Sequence, residues 1–394
     1  MFYCGIDIAK HKHEASVIDA DGTALLDSLS FSNSKDGCGK LLALFDRLNI
    51  IKDNVLIGME ATGHYWLSVH AFFLELGFTV KVINPIQSEA FRKMYIRQTK
   101  NDSKDSFIIA QIMRFGQFSA TNLSEEGIVA LRQLSRYRLA LMDSCGDCKR
   151  RVIALLDQVF PEYDSLFSDT FGVTSKEVLL KYPTPEDMLT VSTRKLTTLL
   201  SKASHGHFGE EKAKQLKTVA VSSFGVGFAK DAFAFQIRQL MEQILFLEKQ
   251  ICELEKEISV LLKQIGSYIT TIPGIGDTLG AIIISEIGDI HRFDAPGKLV
   301  AFAGLDVKVT QSGEFTGTKN KISKRGSPYL RRAIWLAASR AAFCDSILSD
   351  YYRSLRSRGK HHLTAVGAVA RKLCNIIFVI LRENRSYEAV PPER

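Results

Sequence analysis

An α/β domain followed by a long helical region is the fold class that this sequence predicts, and three observations predict it. Short apolar, strand-like runs alternate with helical stretches from the start of the chain to Pro85. Two later stretches carry apolar residues at spacings of three and four over many turns, the signature of long paired helices. Positive charge then gathers towards the C-terminus.

Residues 1–120 form the α/β part. Residues 2–9 (FYCGIDIA) are short, apolar and close to alternating. Residues 14–18 (EASVI) and 24–31 (ALLDSLSF) read as two more strands about an Asp21-Gly22 turn. A helix fits 39–48, a strand 54–59 (NVLIGM), a helix 65–76, a strand 79–84 (TVKVIN) stopped by Pro85, and a last helix 103–116. Three antiparallel strands followed by alternating helices and strands make a ribonuclease-H-like order. In that order the first strand lies mid-sheet, beside the fourth. Asp7 and Glu60 end those two segments, so they are expected to converge.

Asp102 and Asp105 stand three residues apart at the start of the last helix, which puts both on one face. Four carboxylates without a His or Cys cluster suit Mg²⁺ or Mn²⁺ rather than zinc. Two such ions stabilise the attacking and leaving oxygens of a phosphoryl transfer. A plainer reading stays open for each acid. Asn101 or Asp102 caps a helix whose first turn an acid closes; Asp7 accepts turn amides; Glu60 opens the turn Ala61-Thr62-Gly63.

Residues 121–266 form a coiled-coil region. A long helix fits 124–160, with a seam of Leu134, Leu141, Cys148 and Leu155 alternating with Arg138, Cys145, Val152 and Val159, imperfect at Arg138. That seam reads Cys145-x-x-Cys148 as packing, not redox or zinc chemistry. A second seam runs unbroken from Ile237 through Ile244, Ile251 and Ile258 to Ile265, with leucines between. Its partner is either a second chain or the 124–160 helix packed antiparallel. Residues 161–228, punctuated by Pro161, Pro183 and Pro185, read as a small helical insert.

Residues 267–394 form the C-terminal domain. Residues 269–288 (ITTIPGIGDTLGAIIISEIG) look like a helix-hairpin-helix, whose Gly274 and Gly276 let backbone approach a phosphate. The apolar 299–305 (LVAFAGL) leads into a polar loop from Asp306 to Ser323, then helices near 330–343 and 363–381 and a tail expected to fray. Between Lys319 and Lys372 thirteen Lys and Arg face two Asp, a net +11, which leaves −3 for the rest of a chain of net +8. This asymmetry points to a polyanion, with Lys319, Lys321, Lys324, Arg325, Arg331 and Arg332 as candidate phosphate contacts.

The remaining composition excludes several classes. Seven scattered cysteines argue against a disulfide framework. No apolar run is expected to span a membrane, and Met1 leads into a strand-like segment rather than a signal peptide, so a cytoplasmic protein is expected.

Gly5-Ile6-Asp7-Ile8-Ala9-Lys10, Glu60-Ala61-Thr62-Gly63 and Lys100-Asn101-Asp102-Ser103-Lys104-Asp105 resemble, in type, order and spacing, the three acidic motifs of the DEDD transposases. That family is the IS-one-ten group of bacterial insertion sequences and includes the Piv-type DNA invertases. The resemblance implies a RuvC-like first domain whose Asp7, Glu60, Asp102 and Asp105 hold Mg²⁺ or Mn²⁺. It implies a coiled coil that joins protomers as a dimer or tetramer, and a C-terminal transposase domain. Ser312 is selected by the resemblance alone: the family carries a Ser-Gly after an AFAGL-like segment, and that serine is taken as a nucleophile forming a phosphoserine link to DNA. A structured guide, or bridge, RNA that pairs with target and donor DNA is also implied, as is a place at the bacterial nucleoid. Two other functions fit the residues: a RuvC-type metal-dependent junction nuclease using water, and a non-catalytic DNA-bridging protein.

Overall fold

The computed structural model describes residues 1–60, 64–83, 88–89, 91, 102–116, 126–307, 311–312, 315–316 and 322–389, with backbone alone at 102–103, 311–312 and 315–316. The chain divides into two compact units, Met1–Leu123 and Ser124–Arg394.

In the first unit, strands β1 (Phe2–Asp7), β2 (Lys12–Ile18), β3 (Ala24–Ser32), β4 (Val55–Glu60) and β5 (Thr79–Ile83) form one sheet in the order β3-β2-β1-β4-β5. The β1–β4 and β4–β5 pairs are parallel and the other two antiparallel. β1 therefore lies mid-sheet beside β4, as the element order predicts. Helix α1 (Lys35–Arg47) begins four residues before the expected start, because Ser34 caps it by accepting from the Gly37 N–H at 3.1 Å. Helix α2 (Trp66–Glu75) and α1 share a core with one sheet face, where Cys4, Ile6, Ile57, Leu41, Phe45 and Phe73 are buried. Each such Leu, Ile or Phe side chain contributes about 1.5–3 kcal/mol. The other face is covered by α3 (Asp102–Phe115), through Ile108, Ile109, Ile112 and Met113.

The second unit is strung on two long helices, α4 (Glu126–Val159) and α9 (Lys230–Ile265). They pack against each other antiparallel: Arg138 pairs with Glu255, and Lys149 with Glu248. The partner of the second seam is thus α4 of the same chain. Between them α5 (Val173–Lys181), α6 (Pro185–Thr190), α7 (Thr193–Ala203) and α8 (Glu210–Val221) build a core of their own on one end of the pair, with Tyr163, Val178, Leu196 and Leu216 against Val152, Leu156, Ile237 and Met241. Cys145 and Cys148 are buried there, and Cys148 Sγ lies 3.6 Å from Gln243 Oε1.

At the other end of the pair sit α10 (Asp277–Ile287), α11 (Pro296–Phe302), α12 (Pro328–Cys344), α13 (Ser346–Ser357) and α14 (His362–Glu383). Their core joins Leu131, Leu139, Ile258 and Leu262 to Ile283, Ala337, Leu373 and Ile377. The helix-hairpin-helix is incomplete, because its first arm is only a 3-10 turn, Tyr268–Thr271. One expectation needs correcting. α14 is long and apolar enough, by length and composition, to cross a membrane. Half of its most apolar window is buried, and Leu373, Cys374 and Ile377 belong to the core. The chain beyond α14 is held at Tyr387, whose N–H donates to Thr271 Oγ1 and whose hydroxyl donates to Asp345 Oδ2 at 2.8 Å; the Pro-ended tail expected to fray, residues 390–394, lies outside the described residues.

Candidate active site

Two glycines set the geometry of the acids. In the parallel β1–β4 pair Gly5 lies beside Gly58 and Ile6 beside Met59. Asp7 and Glu60 are the next residues on each strand, so they end neighbouring strands side by side. A Cβ on Gly5 would run into the Ser106 and Ala110 backbone of α3, and one on Gly58 into Met113 and Ile109. Side chains alternate along a strand, so Asp7 and Glu60, two residues beyond the glycines, share the face that carries α3. The helix lies this close because both strands lack a side chain where it crosses.

α3 turns the same residues to the sheet that its period requires. Ser106, Ile109 and Met113 meet the two strands. Asp102 and Asp105 continue that face one turn back, at the helix start. Asp105 is buried at 7% exposure. Glu60 Oε2 accepts from the Ser88 hydroxyl at 2.6 Å. Asp7, Glu60 and Asp105 thus come to one edge of one sheet face, on three separate elements. Among the described residues no three His, Cys, Asp or Glu side chains close round a common metal position. The donor set itself is all carboxylate oxygen, the chemistry that Mg²⁺ and Mn²⁺ take.

A fifth acid was missed in the sequence. Glu14 stands directly opposite Asp7 in the antiparallel β1–β2 pair, and its carboxylate accepts from the Ser28 hydroxyl. Ser16, two residues on, bonds Ser106 of α3 at 2.7 Å, so Glu14 is on the same face as the other acids. The signal was the register of the first hairpin, which pairs Gly5 with Ser16 and Asp7 with Glu14.

Ser312 ends β6 (Gln311–Ser312), which pairs antiparallel with β7 (Phe315–Thr316) in a register that sets Ser312 opposite Phe315. The base of this arm is a Val307–Ile322 bridge, with Ser323 N–H donating to the Asp306 carbonyl at 2.8 Å and the Ser323 hydroxyl to the Asp306 carboxylate. Gly304 and Gly326 close the base, with φ of 68° and 82°. A Cβ on Gly304 would strike the Arg325 carbonyl, and one on Gly326 the Phe302 carbonyl.

The predicted phosphate contacts differ in use. Lys319 and Lys321 lie outside the described residues. Lys324 and Arg325 are exposed at the base of the arm. Arg331 is half-buried, its Nη1 reaching the Ala303 carbonyl at 3.5 Å. Arg332 holds Asp143 with two bonds, at 3.0 and 2.8 Å, which keeps that carboxyl below its ordinary range. Gly274, with φ of 91°, is used for packing: a Cβ there would meet the Ala337 carbonyl and Ala341 N–H of α12. Gly276 has nothing within 4 Å of that position.

Beneath the arm, Glu286 of α10 is buried at 6% exposure. Arg136 of α4 donates to it from two nitrogens, at 2.6 and 3.0 Å, and the Ser327 hydroxyl at 2.7 Å. Ser327 also caps α12. One carboxylate thereby ties three helices at the point where the arm returns to the core.

Residues 4–161 match the DEDD family model of IS110 described as "Transposase", and residues 266–353 match the model described as "Transposase IS116/IS110/IS902 family". The chain is 24% identical to the insertion element IS116 uncharacterized 44.8 kDa protein of Streptomyces clavuligerus, over 99% of this chain and 97% of that one. It is 22% identical to the pilin gene-inverting protein of Moraxella bovis, over 98% and 97%. It is 24% identical to the mini-circle putative transposase for IS117 of Streptomyces coelicolor, over 92% and 89%.

Proposed function

The chain belongs to the IS110/IS116 transposase family, and on that premise we propose that this DNA transposase cuts and rejoins DNA through a phosphoserine intermediate. The observation that carries the reading is the meeting of Asp7, Glu60 and the first turn of α3 on one sheet face. An open sheet of this order with acids at the strand ends is also the support for a ribonuclease-H-like, RuvC-like first domain.

In the proposed reaction Ser312 Oγ attacks a phosphodiester phosphorus. The serine proton passes to a carboxylate or water. The new Oγ–P bond forms as the P–O3′ bond breaks, and the leaving oxygen departs as a 3′-hydroxyl. A second 3′-hydroxyl then attacks the phosphoserine and frees the serine. Bond count is kept at each step, so exchange needs no ATP. Asp7, Glu60, Asp102 and Asp105 would hold Mg²⁺ or Mn²⁺, which supplies charge neutralisation at the phosphoryl oxygens when bound. Lys324 and Arg325 contact DNA phosphates without reading sequence. A structured guide RNA selects element ends and target by pairing, and copies of the chain assemble as a dimer or tetramer. The protein works in the bacterial cytoplasm, at the nucleoid.

Purified protein, labelled element-end DNA, the flanking transcript and Mg²⁺, run on a denaturing protein gel, test this. The expected result is a labelled protein band that disappears in Ser312→Ala and in Asp102→Asn. Cleaved DNA without adduct, undiminished in Ser312→Ala, leaves a nuclease that uses water. No cleavage with RNA supplied leaves a DNA-bridging protein.

A further inference from the structure

The C-terminal helices carry a row of rings at the surface, whose middle member, Tyr352, is half-buried against the core. Phe343, at the end of α12, is 67% exposed. Its ring meets Tyr352 of α13 with centroids 5.3 Å apart, and Tyr352 meets His362 of α14 edge to face at 5.8 Å. The Tyr352 hydroxyl and His362 Nδ1 are 2.7 Å apart, which fixes the two rings against each other. Three helices therefore contribute one ring each to a single surface row. No sequence spacing announces it, since the rings come from separate elements.

The row sits in surplus positive charge. Arg340 lies one turn before Phe343 and lines the same surface groove. Arg356 lies one turn after Tyr352, with its guanidinium on the Lys360 carbonyl at 2.7 Å. The two acids of the stretch do not offset these cations at the row: Asp345 is buried under the Tyr387 hydroxyl, and Asp350 lies 3.9 Å from Arg353.

We propose that Phe343, Tyr352 and His362 form a stacking platform for an unpaired strand of DNA, with Arg340 and Arg356 on its phosphates. An exposed ring face accepts any base, and flanking arginines accept the backbone, the combination that single strands recognise. A duplex keeps its base faces stacked on one another and has none to offer. An apolar peptide would match the rings but leave the arginines without anions. The proposal rests on the strand-exchange reading, in which cut strands must part before they rejoin. That is why the occupant is DNA.

The test uses the full chain and fluorescence anisotropy with an oligo-dT strand, a DNA duplex of equal length and an oligo-rU strand. Phe343→Leu keeps apolar bulk and removes the ring. Its expected effect is a loss of roughly 5- to 150-fold in affinity for oligo-dT, with duplex affinity unchanged. An oligonucleotide carrying 5-iodouracil should photo-crosslink to Phe343 or Tyr352. Unchanged oligo-dT affinity, or an equal loss for duplex, overturns the platform. Tighter, Phe343-dependent binding of oligo-rU overturns the assignment to DNA. Oligo-dT binding with no dependence on Phe343 removes the platform alone, whereas failure of the wild type to bind any of the three removes the nucleic-acid reading with it.

Discussion

Glu286 lies in a helix whose buried neighbours are Ile282, Ile283, Ile284 and Ile287, so its charge is affordable only because Arg136 and the Ser327 hydroxyl meet it. Glu286→Gln keeps the shape but loses the charge-assisted bonds. It should cost about 2 kcal/mol, reduced by the partial exposure of Arg136, and show as a lower urea midpoint for the second unit. An unchanged midpoint would mean that water already serves Arg136. At this scale the sequence was legible where a residue acts through its own chain neighbours. Asp7 and Glu60 were found because each ends a strand. Glu14 was not, because its place opposite Asp7 depends on a hairpin register. Gly274 read as a phosphate contact because a glycine turn before a helix suits one; the backbone of α12 that occupies its open side is more than sixty residues away in sequence.

The α4–α9 pair shows the same division between local pattern and partner. Both helices were legible from spacing, and the flaw in the first seam at Arg138 was legible too. Its answer, Glu255 on α9, was not. Arg138 is largely buried at 13% side-chain exposure, while Glu255 keeps 39%. Desolvating the arginine offsets much of what the pair gains. Replacing both, Arg138→Leu with Glu255→Leu, should complete the apolar seam and stabilise the second unit by about 1 kcal/mol, read as a higher urea midpoint. Arg138→Leu alone should gain less, since Glu255 stays near water. A double variant less stable than wild type would show that the pair fixes the alignment of the helices. Leu247, Ile251 and Leu254 of the second seam are only half-buried; Leu247 and Ile251 pack against the edge of the core that α5–α8 build.

Across the whole molecule, charge is divided: the segment from Lys319 to Lys372 carries +11 and the rest −3. Binding to duplex DNA should therefore weaken steeply with salt, by a slope of about 0.9 in log K per phosphate contact. Lys324→Ala with Arg325→Ala should lower that slope by roughly 1.8. Arg332→Ala should lower it less, because Asp143 already holds its guanidinium. Equal effects would mean that DNA displaces Asp143. The charge itself needed no structure, since it is a sum over residues. The order of strands and helices, the two long helices and the acids at strand ends were likewise determined by the sequence alone, because each follows from periodicity and turn chemistry within a few residues. Only the tertiary structure decided that α9 pairs with α4, that Glu14 joins the row of acids, that Arg332 is bound to Asp143, and that three rings from three helices meet. Each of those depends on contacts between segments far apart in the chain, and local pattern carries no record of which distant surface will arrive.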